Sequence, residues 1–293
     1  MTKAIKRVFR YDNVIYLLLL PSLAGLAMFY VVPFGISMYY AVIDNSVSRE
    51  FVGLANLIET WNNLAFRLAV NNTLLFMGAS IPLNMFLALM LALVLRPLPK
   101  MARRVLLLFF LLPLVIPSGS VIGFWGNFIA QNGMFNRMFF PHAPADWIPI
   151  DWLNSPHAMV FVIVIFIWKN IGFNVILFQA GLDFIPKDYY EFASMEGAGR
   201  LWKFTRITLV YLGPTFLLVF LMSVVNSFKA FREVYLLVGR YPYRPIYLMQ
   251  HFLNNQFERL NYQLMASASF FTFGFIFIVV LVMYFFQQRQ TYL

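Results

Sequence analysis

IPKDYYEFASMEGAGRLWKFTRITLVYLGP, residues 185–214, is the one polar, charge-dense stretch between two long apolar stretches on the Lys- and Arg-rich side of the chain. It carries the carboxylate of Glu191 and small residues at Ala193, Gly197, Ala198 and Gly199. A bare connector between two membrane segments needs neither this length nor this spacing of small residues. The pattern predicts a compact helical surface offered to a partner on that side.

The flanks of this stretch settle the fold class. The chain of 293 residues is 61% hydrophobic and only 12% charged, whereas a soluble domain carries about 25% charged residues. Several apolar runs exceed the ~18 residues that suggest a membrane-spanning helix. The expected fold is therefore an all-α integral membrane protein with six transmembrane helices, near residues 14–39, 70–95, 105–129, 157–181, 207–228 and 263–286. Residues 1–13 form an N-terminal segment, 14–286 the transmembrane domain and 287–293 a tail. Each run is long enough to cross a hydrocarbon core of about 30 Å at about 1.5 Å per residue.

Lys and Arg orient the chain. With both termini in the cytoplasm, the inner segments collect Lys3, Lys6, Arg7 and Arg10, then Arg96, Lys100, Arg103 and Arg104, then Lys187, Arg200, Lys203 and Arg206. The outer loops hold fewer, although the third gathers Lys229, Arg232, Arg240, Arg244 and Arg259. The first apolar run is too long for the core of a cleaved signal and lacks a small-x-small exit, which predicts a signal anchor. The formal charge of +10 does not imply nucleic acid, because the cations are spread over separate loops instead of one stripe.

Several chemistries are missing. There is no cysteine, and His142, His157 and His251 have no metal-ligand spacing. No G-x-x-x-x-G-K-[ST] phosphate loop occurs, so the chain is not by itself a P-loop ATPase. Neither a Ser/His/Asp set nor H-E-x-x-H is present. The acids fall in loops or near span ends, unlike the midplane carboxylates of proton-coupled carriers. The expectation is a protein that is not an enzyme, has no cofactor of its own, and takes energy from a gradient or another subunit.

The 185–214 stretch resembles the cytoplasmic E-A-A…G loop of ABC-importer permeases that work with a solute-binding protein. Ile185 and Pro186, Glu191 and Ala193, Gly197 and Ala198, and Ile207, Thr208 and Leu209 match that pattern. Phe192 stands for its first Ala, Glu196 for its Asp and Val210 for its Pro. LLPLVIPSGS at residues 111–120 is similar to the family's proline-rich third helix, and NSFKAFREVYLL at 226–237 to the segment after the fifth helix of sugar permeases. One departure follows, where the family's T-G-G-G-P run is replaced by Val238, Gly239, Arg240, Tyr241 and Pro242.

The resemblance implies an ATP-driven importer subunit for a carbohydrate, by its closest type an oligosaccharide. Its partners would be ABC ATPase subunits that hold ATP and Mg, a second homologous permease and an extracellular or periplasmic binding protein. It assigns ATPase docking to Glu191, Ala193, Glu196, Gly197 and Ala198. It assigns sugar contact to Leu114 and Ser118 in the third span, Trp168, Ile171, Gly172 and Val175 in the fourth, and Asn226, Ser227 and Ala230 after the fifth. Pro113 and Pro117 remove backbone donors, and such broken helices mark transport sites.

One conflict stands in the fourth span. Lys169, Asn170 and Asn174 form a polar face about 170° from the inherited one, at about 100° per residue. One narrow path cannot take both faces. The inherited face is retained for sugar, and the polar face is expected to meet a partner permease or water. A glycerol phosphate or another small solute as cargo, a non-transporting scaffold or sensor, and an ATP-independent facilitator remain open alternatives.

Overall fold

The computed structural model describes residues 11–45, 47–142, 144 and 146–291. The N-terminal cations Lys3, Lys6, Arg7 and Arg10 lie outside the described residues. In chain order the α-helices are α1 Tyr11–Leu26, α2 Val32–Ala41, α3 Ala55–Asn62, α4 Leu64–Leu95, α5 Lys100–Val115, α6 Ser118–Ile129, α7 Met134–Phe139, α8 Ala158–Asp183, α9 Lys187–Met195, α10 Arg200–Lys203, α11 Leu209–Tyr211, α12 Gly213–Lys229, α13 Phe231–Val238, α14 Met249–Glu258 and α15 Tyr262–Thr291. A π-helical turn, Ala27–Val31, joins α1 to α2 just before Pro33, and another, Phe204–Thr208, joins α10 to α11. Among the described residues extended pairing is confined to an isolated bridge between Ile43 and Phe51. The all-α membrane expectation holds. Among the described residues five helical stretches are long and apolar enough to span, and a sixth is added if the bent pair formed by Lys100–Val115 and Ser118–Phe139 counts as one.

Three expected spans have different limits. The third is bent by 89° between Lys100–Val115 and Ser118–Phe139. The break falls at Pro117, while Pro113 stays inside α5. Proline pushes its predecessor out of the helical region, and Ile116 is accordingly extended at φ −63°, ψ 132°. The fifth span begins at Gly213 instead of 207 and runs on to Val238, because Ala230 keeps helical angles between α12 and α13. Lys229 and Arg232 therefore belong to this span and not to an outer loop. The last helix continues to Thr291, past the boundary drawn at residue 286.

The described residues form two compact units, one within residues 1–63 and 253–275, the other within residues 64–252 and 276–293. In the first, the apolar side chains of Leu18, Leu20, Leu23, Met28 and Phe29 are all exposed. Such a surface is stable only against lipid or a partner helix. Asn56 ties the end of this helix to α3 by donating to the carbonyls of Ala41 and Ile43, at 3.1 and 2.7 Å.

The second unit has its core where α4, α8 and α12 meet. Ala88, Ala92 and Leu95 pack with Val175, Phe178 and Leu182 and with Leu212 and Val219. Small residues on α4 let the helices approach closely, which is how membrane helices gain packing energy without a hydrophobic drive. Polar cross-links add to this. Asn174 donates to Asn84 Oδ1 at 3.0 Å and to Ser223 Oγ at 3.1 Å, all three buried. A second core joins α6 to α8 through Val121, Trp125, Phe161 and Ile165.

Candidate transport cavity and docking surface

The break at Pro117 opens a cavity of about 370 Å³ in the second unit, within the ~300–1,000 Å³ of small-molecule sites. Its walls come from the end of α5 through the start of α6, from α8, and from the α12–α13 junction. Of the residues assigned to sugar by resemblance, Leu114, Ser118, Asn226 and Ala230 line it. Trp168, Ile171, Gly172, Val175 and Ser227 do not.

The reasons are local. Val175 is fully buried in the α4–α8–α12 core and Ile171 packs beside it. Trp168 packs edge-on to Trp125, with ring centroids 5.7 Å apart. A Cβ on Gly172 would stand 2.9 Å from the Leu111 nitrogen and nearer still to the Phe110 carbonyl, so this glycine is a close crossing point of α8 and α5. Ser227 is buried and bonds the Val224 carbonyl of its own helix at 2.6 Å. At this cavity the fourth span presents its polar face and not the face assigned to sugar by resemblance. The polar face turns to the cavity through Lys169 and Asn170, while Asn174 serves the interhelical bonds described above.

Within the cavity wall Lys169 forms an ion pair with Glu233 Oε1. Lys169 also donates to Ser118 Oγ at 3.0 Å, and Ser118 donates to Glu233 Oε1 at 3.3 Å. The two charged side chains are 14% and 11% exposed. Removing either partner would leave an uncompensated charge in a poorly solvated place. This triad ties α6, α8 and α13 together at the break. Sequence reading missed Glu233, because it ended the fifth helix at 228. A signal was available, since Val234, Leu237 and Val238 continue helical spacing past Ala230.

The 185–214 stretch folds as a helical platform packed onto the α4–α8–α12 core through Ile185, Ile207 and Leu212. Pro186, with φ −58° and ψ 136°, caps α9. Gly197 has φ +77°, and the amides of Gly197 and Ala198 bond back to the carbonyls of Ser194 and Ala193, at 3.1 and 2.8 Å. This is a Schellman stop, in which the residue after the cap takes the left-handed conformation that glycine adopts freely. A Cβ there would touch nothing else in this chain within 4 Å, so within the chain the requirement is conformational.

Glu191 and Glu196 are exposed, whereas Ala193 and Ala198 are half-buried. Beside them Phe192, Met195, Leu201 and Trp202 expose large apolar surfaces. The platform is anchored: Tyr190 is 2.9 Å from Thr208 Oγ1 and accepts from Arg96 at 3.2 Å. Arg103 closes the neighbouring corner on Asp183 at 3.1 Å.

These features match a known group of proteins. The family of binding-protein-dependent transport system inner membrane components covers residues 84–292. The chain belongs to this family. The permease is 30% identical over 243 residues to a trehalose/maltose transport system permease protein of Thermococcus litoralis, covering 81% of each chain. It is 31% identical over 230 residues to an sn-glycerol-3-phosphate transport system permease protein of Yersinia pseudotuberculosis, covering 75% of the permease and 74% of that protein. It is 27% identical over 239 residues to a probable ABC transporter permease of Bacillus subtilis, covering 79% and 75%. Among solved structures, a bacterial ABC transporter involved in the import of the acidic polysaccharide alginate superposes with a TM-score of 0.81 over 98% of both chains at 23% identity. That likeness establishes the shared fold. The permease is thus an inner-membrane, non-enzymatic part of a binding-protein-dependent transport system.

Proposed function

We propose that this permease forms half of the path of an ATP-driven importer of carbohydrates, most simply an oligosaccharide, with the cavity at the Pro117 break as its sugar-facing wall. The cavity carries the reading. It sits where a spanning helix is interrupted, and it presents Ser118, Asn170 and Asn226, groups whose donors and acceptors suit sugar hydroxyls. The relatives that transport trehalose and maltose support the carbohydrate class. The sn-glycerol-3-phosphate relatives favour a second cargo of the same general kind, a phosphorylated polyol.

The α9–α11 platform docks an ABC ATPase subunit, which holds ATP and Mg. Its exposed Phe192 and Met195 fill a groove, while Glu191 and Glu196 pair with basic residues of that subunit. Gly197 sets the angle between α9 and α10. A second, homologous permease completes the path, and a solute-binding protein delivers cargo at the outer face. ATP-driven closure of the ATPase pair then moves the platform, and the anchored Tyr190 and Arg96 pass that motion to α4 and α8.

The test is ATP hydrolysis by the assembled complex in nanodiscs, with binding protein and a panel of oligosaccharides and glycerol phosphates. Stimulation by a carbohydrate, abolished in Glu191→Lys with assembly of the permease pair intact, is the expected outcome. Hydrolysis indifferent to every carbohydrate and polyol phosphate would refute the cargo class. Full stimulation in Glu191→Lys would refute the docking role.

A further inference from the structure

We infer that the cargo carries a negative charge, a carboxylate or phosphate on a sugar or polyol, bound by Lys229 and Arg232. This deepens the carbohydrate reading of the same cavity and rests on it. The cavity wall holds three cations, Lys169, Lys229 and Arg232, against one carboxylate, Glu233. Glu233 is committed to Lys169 and Ser118. Among the described residues Lys229 and Arg232 are left with no acid. Lys229 bonds only the neutral Asn226 Oδ1, at 3.3 Å, and Arg232 has no polar partner among the described residues.

Both belong to the fifth span, one turn apart, and both are exposed into the cavity. Cations on a spanning helix are costly unless they face water or a counter-charge. A path for neutral sugars gains nothing from two such groups, because hydroxyls are served by Ser118, Asn170 and Asn226. A carboxylate or phosphate gains charge-assisted hydrogen bonds, and Arg offers the planar fork that fits either anion. The buried Lys169–Glu233 pair holds the third cation in reserve, so the cavity meets the anion with two fixed charges and not three.

The experiment uses the complete importer in proteoliposomes, with its own ATPase, partner permease and binding protein. Uptake is measured for a uronate trisaccharide, a neutral trisaccharide of the same linkage, and glycerol phosphate. The wild type is expected to transport an acidic compound in preference to the neutral one. The first and third arms tell carboxylate from phosphate. Lys229→Gln and Arg232→Gln are each expected to raise KM for the acidic cargo about tenfold, the scale of one charged hydrogen bond. The charge-keeping pair Lys229→Arg with Arg232→Lys is expected to restore uptake, which a folding defect would not allow.

Preference of the wild type for the neutral trisaccharide overturns the inference and leaves the carbohydrate reading intact. So does unchanged acidic uptake in the Lys229→Gln/Arg232→Gln double variant. Failure of every carbohydrate and polyol phosphate to drive hydrolysis overturns both.

Discussion

Gly172→Ala separates the two roles assigned to this glycine, sugar contact by resemblance and helix crossing by geometry. The added methyl would lie 2.9 Å from the Leu111 nitrogen and closer still to the Phe110 carbonyl, where ordinary contact begins near 3.4 Å. These are backbone atoms of α5 and cannot rotate aside, so α5 and α8 must part by on the order of 1 Å, and overpacking of this kind costs about 1–3 kcal/mol. Gly78→Ala in α4 is the control, because a Cβ there meets nothing within 4 Å and the helix gains up to about 1 kcal/mol in propensity. Melting of the detergent-purified protein should therefore drop by about 4–8 °C for a 2 kcal/mol loss in Gly172→Ala, with no drop in Gly78→Ala. Equal melting of the two variants, with a raised KM for cargo in Gly172→Ala alone, would show that the methyl meets sugar and not Phe110.

Three further outcomes follow from the same geometry. Glu233→Gln strands the Lys169 charge and should cost about 3 kcal/mol or more, whereas Lys169→Met with Glu233→Leu should recover most of the melting temperature; a double variant no more stable than the single would mean the pair is not coupled. Gly197→Ala forces a non-glycine residue to φ +77°, at roughly 1–2 kcal/mol, and should lower cargo-stimulated hydrolysis while leaving the cavity's cargo selectivity unchanged; a shift in selectivity would contradict the separation of platform from cavity. His251, outside the spans, is buried and accepts from the Leu248 amide at 3.1 Å, and burial pushes its pKa down to about 4. The unfolded chain takes up that proton first, so stability from this group is complete above about pH 6.5 and is lost as pH falls towards 4, by about 3 kcal/mol in all. His251→Asn should flatten the melting profile between pH 5 and 7, and an unchanged slope would exclude His251 as its source.

The fold class was legible because it depends on composition and run length alone, and the span count followed with it. The 185–214 platform was legible as a helical surface from its charge and small residues, and Pro186 marks where its helix begins; that Gly197 ends this helix at φ +77° is a property of the fold. The limits of the third and fifth spans were not. Pro113 and Pro117 look alike in sequence, yet only Pro117 sits at a break: Pro113 stays within α5, while Ile116, ahead of Pro117, is extended. At the other site nothing stops the helix, because Ala230 is a helix former and Lys229 merely looks like the start of a loop.

The choice between the two faces of the fourth span shows what periodicity contains and what it omits. The angle between Trp168–Gly172 and Lys169–Asn170 could be stated from 100° per residue, and the structure keeps it. Which face meets the cavity is not a property of that helix. It depends on Glu233, 64 residues further on, whose carboxylate draws Lys169 to the same wall as Ser118. Once Glu233 is placed inside a helix instead of a loop, the alternatives narrow sharply. A buried carboxylate in a membrane needs a cation, and Lys169 is the cation already inside a span with no other acid assigned to it. The orientation of α8, the position of the cavity and the two cations without an acid at its wall all follow from letting the fifth helix run ten residues past Phe228, to Val238, so the decisive unread fact lay in a helix end and not in the site itself.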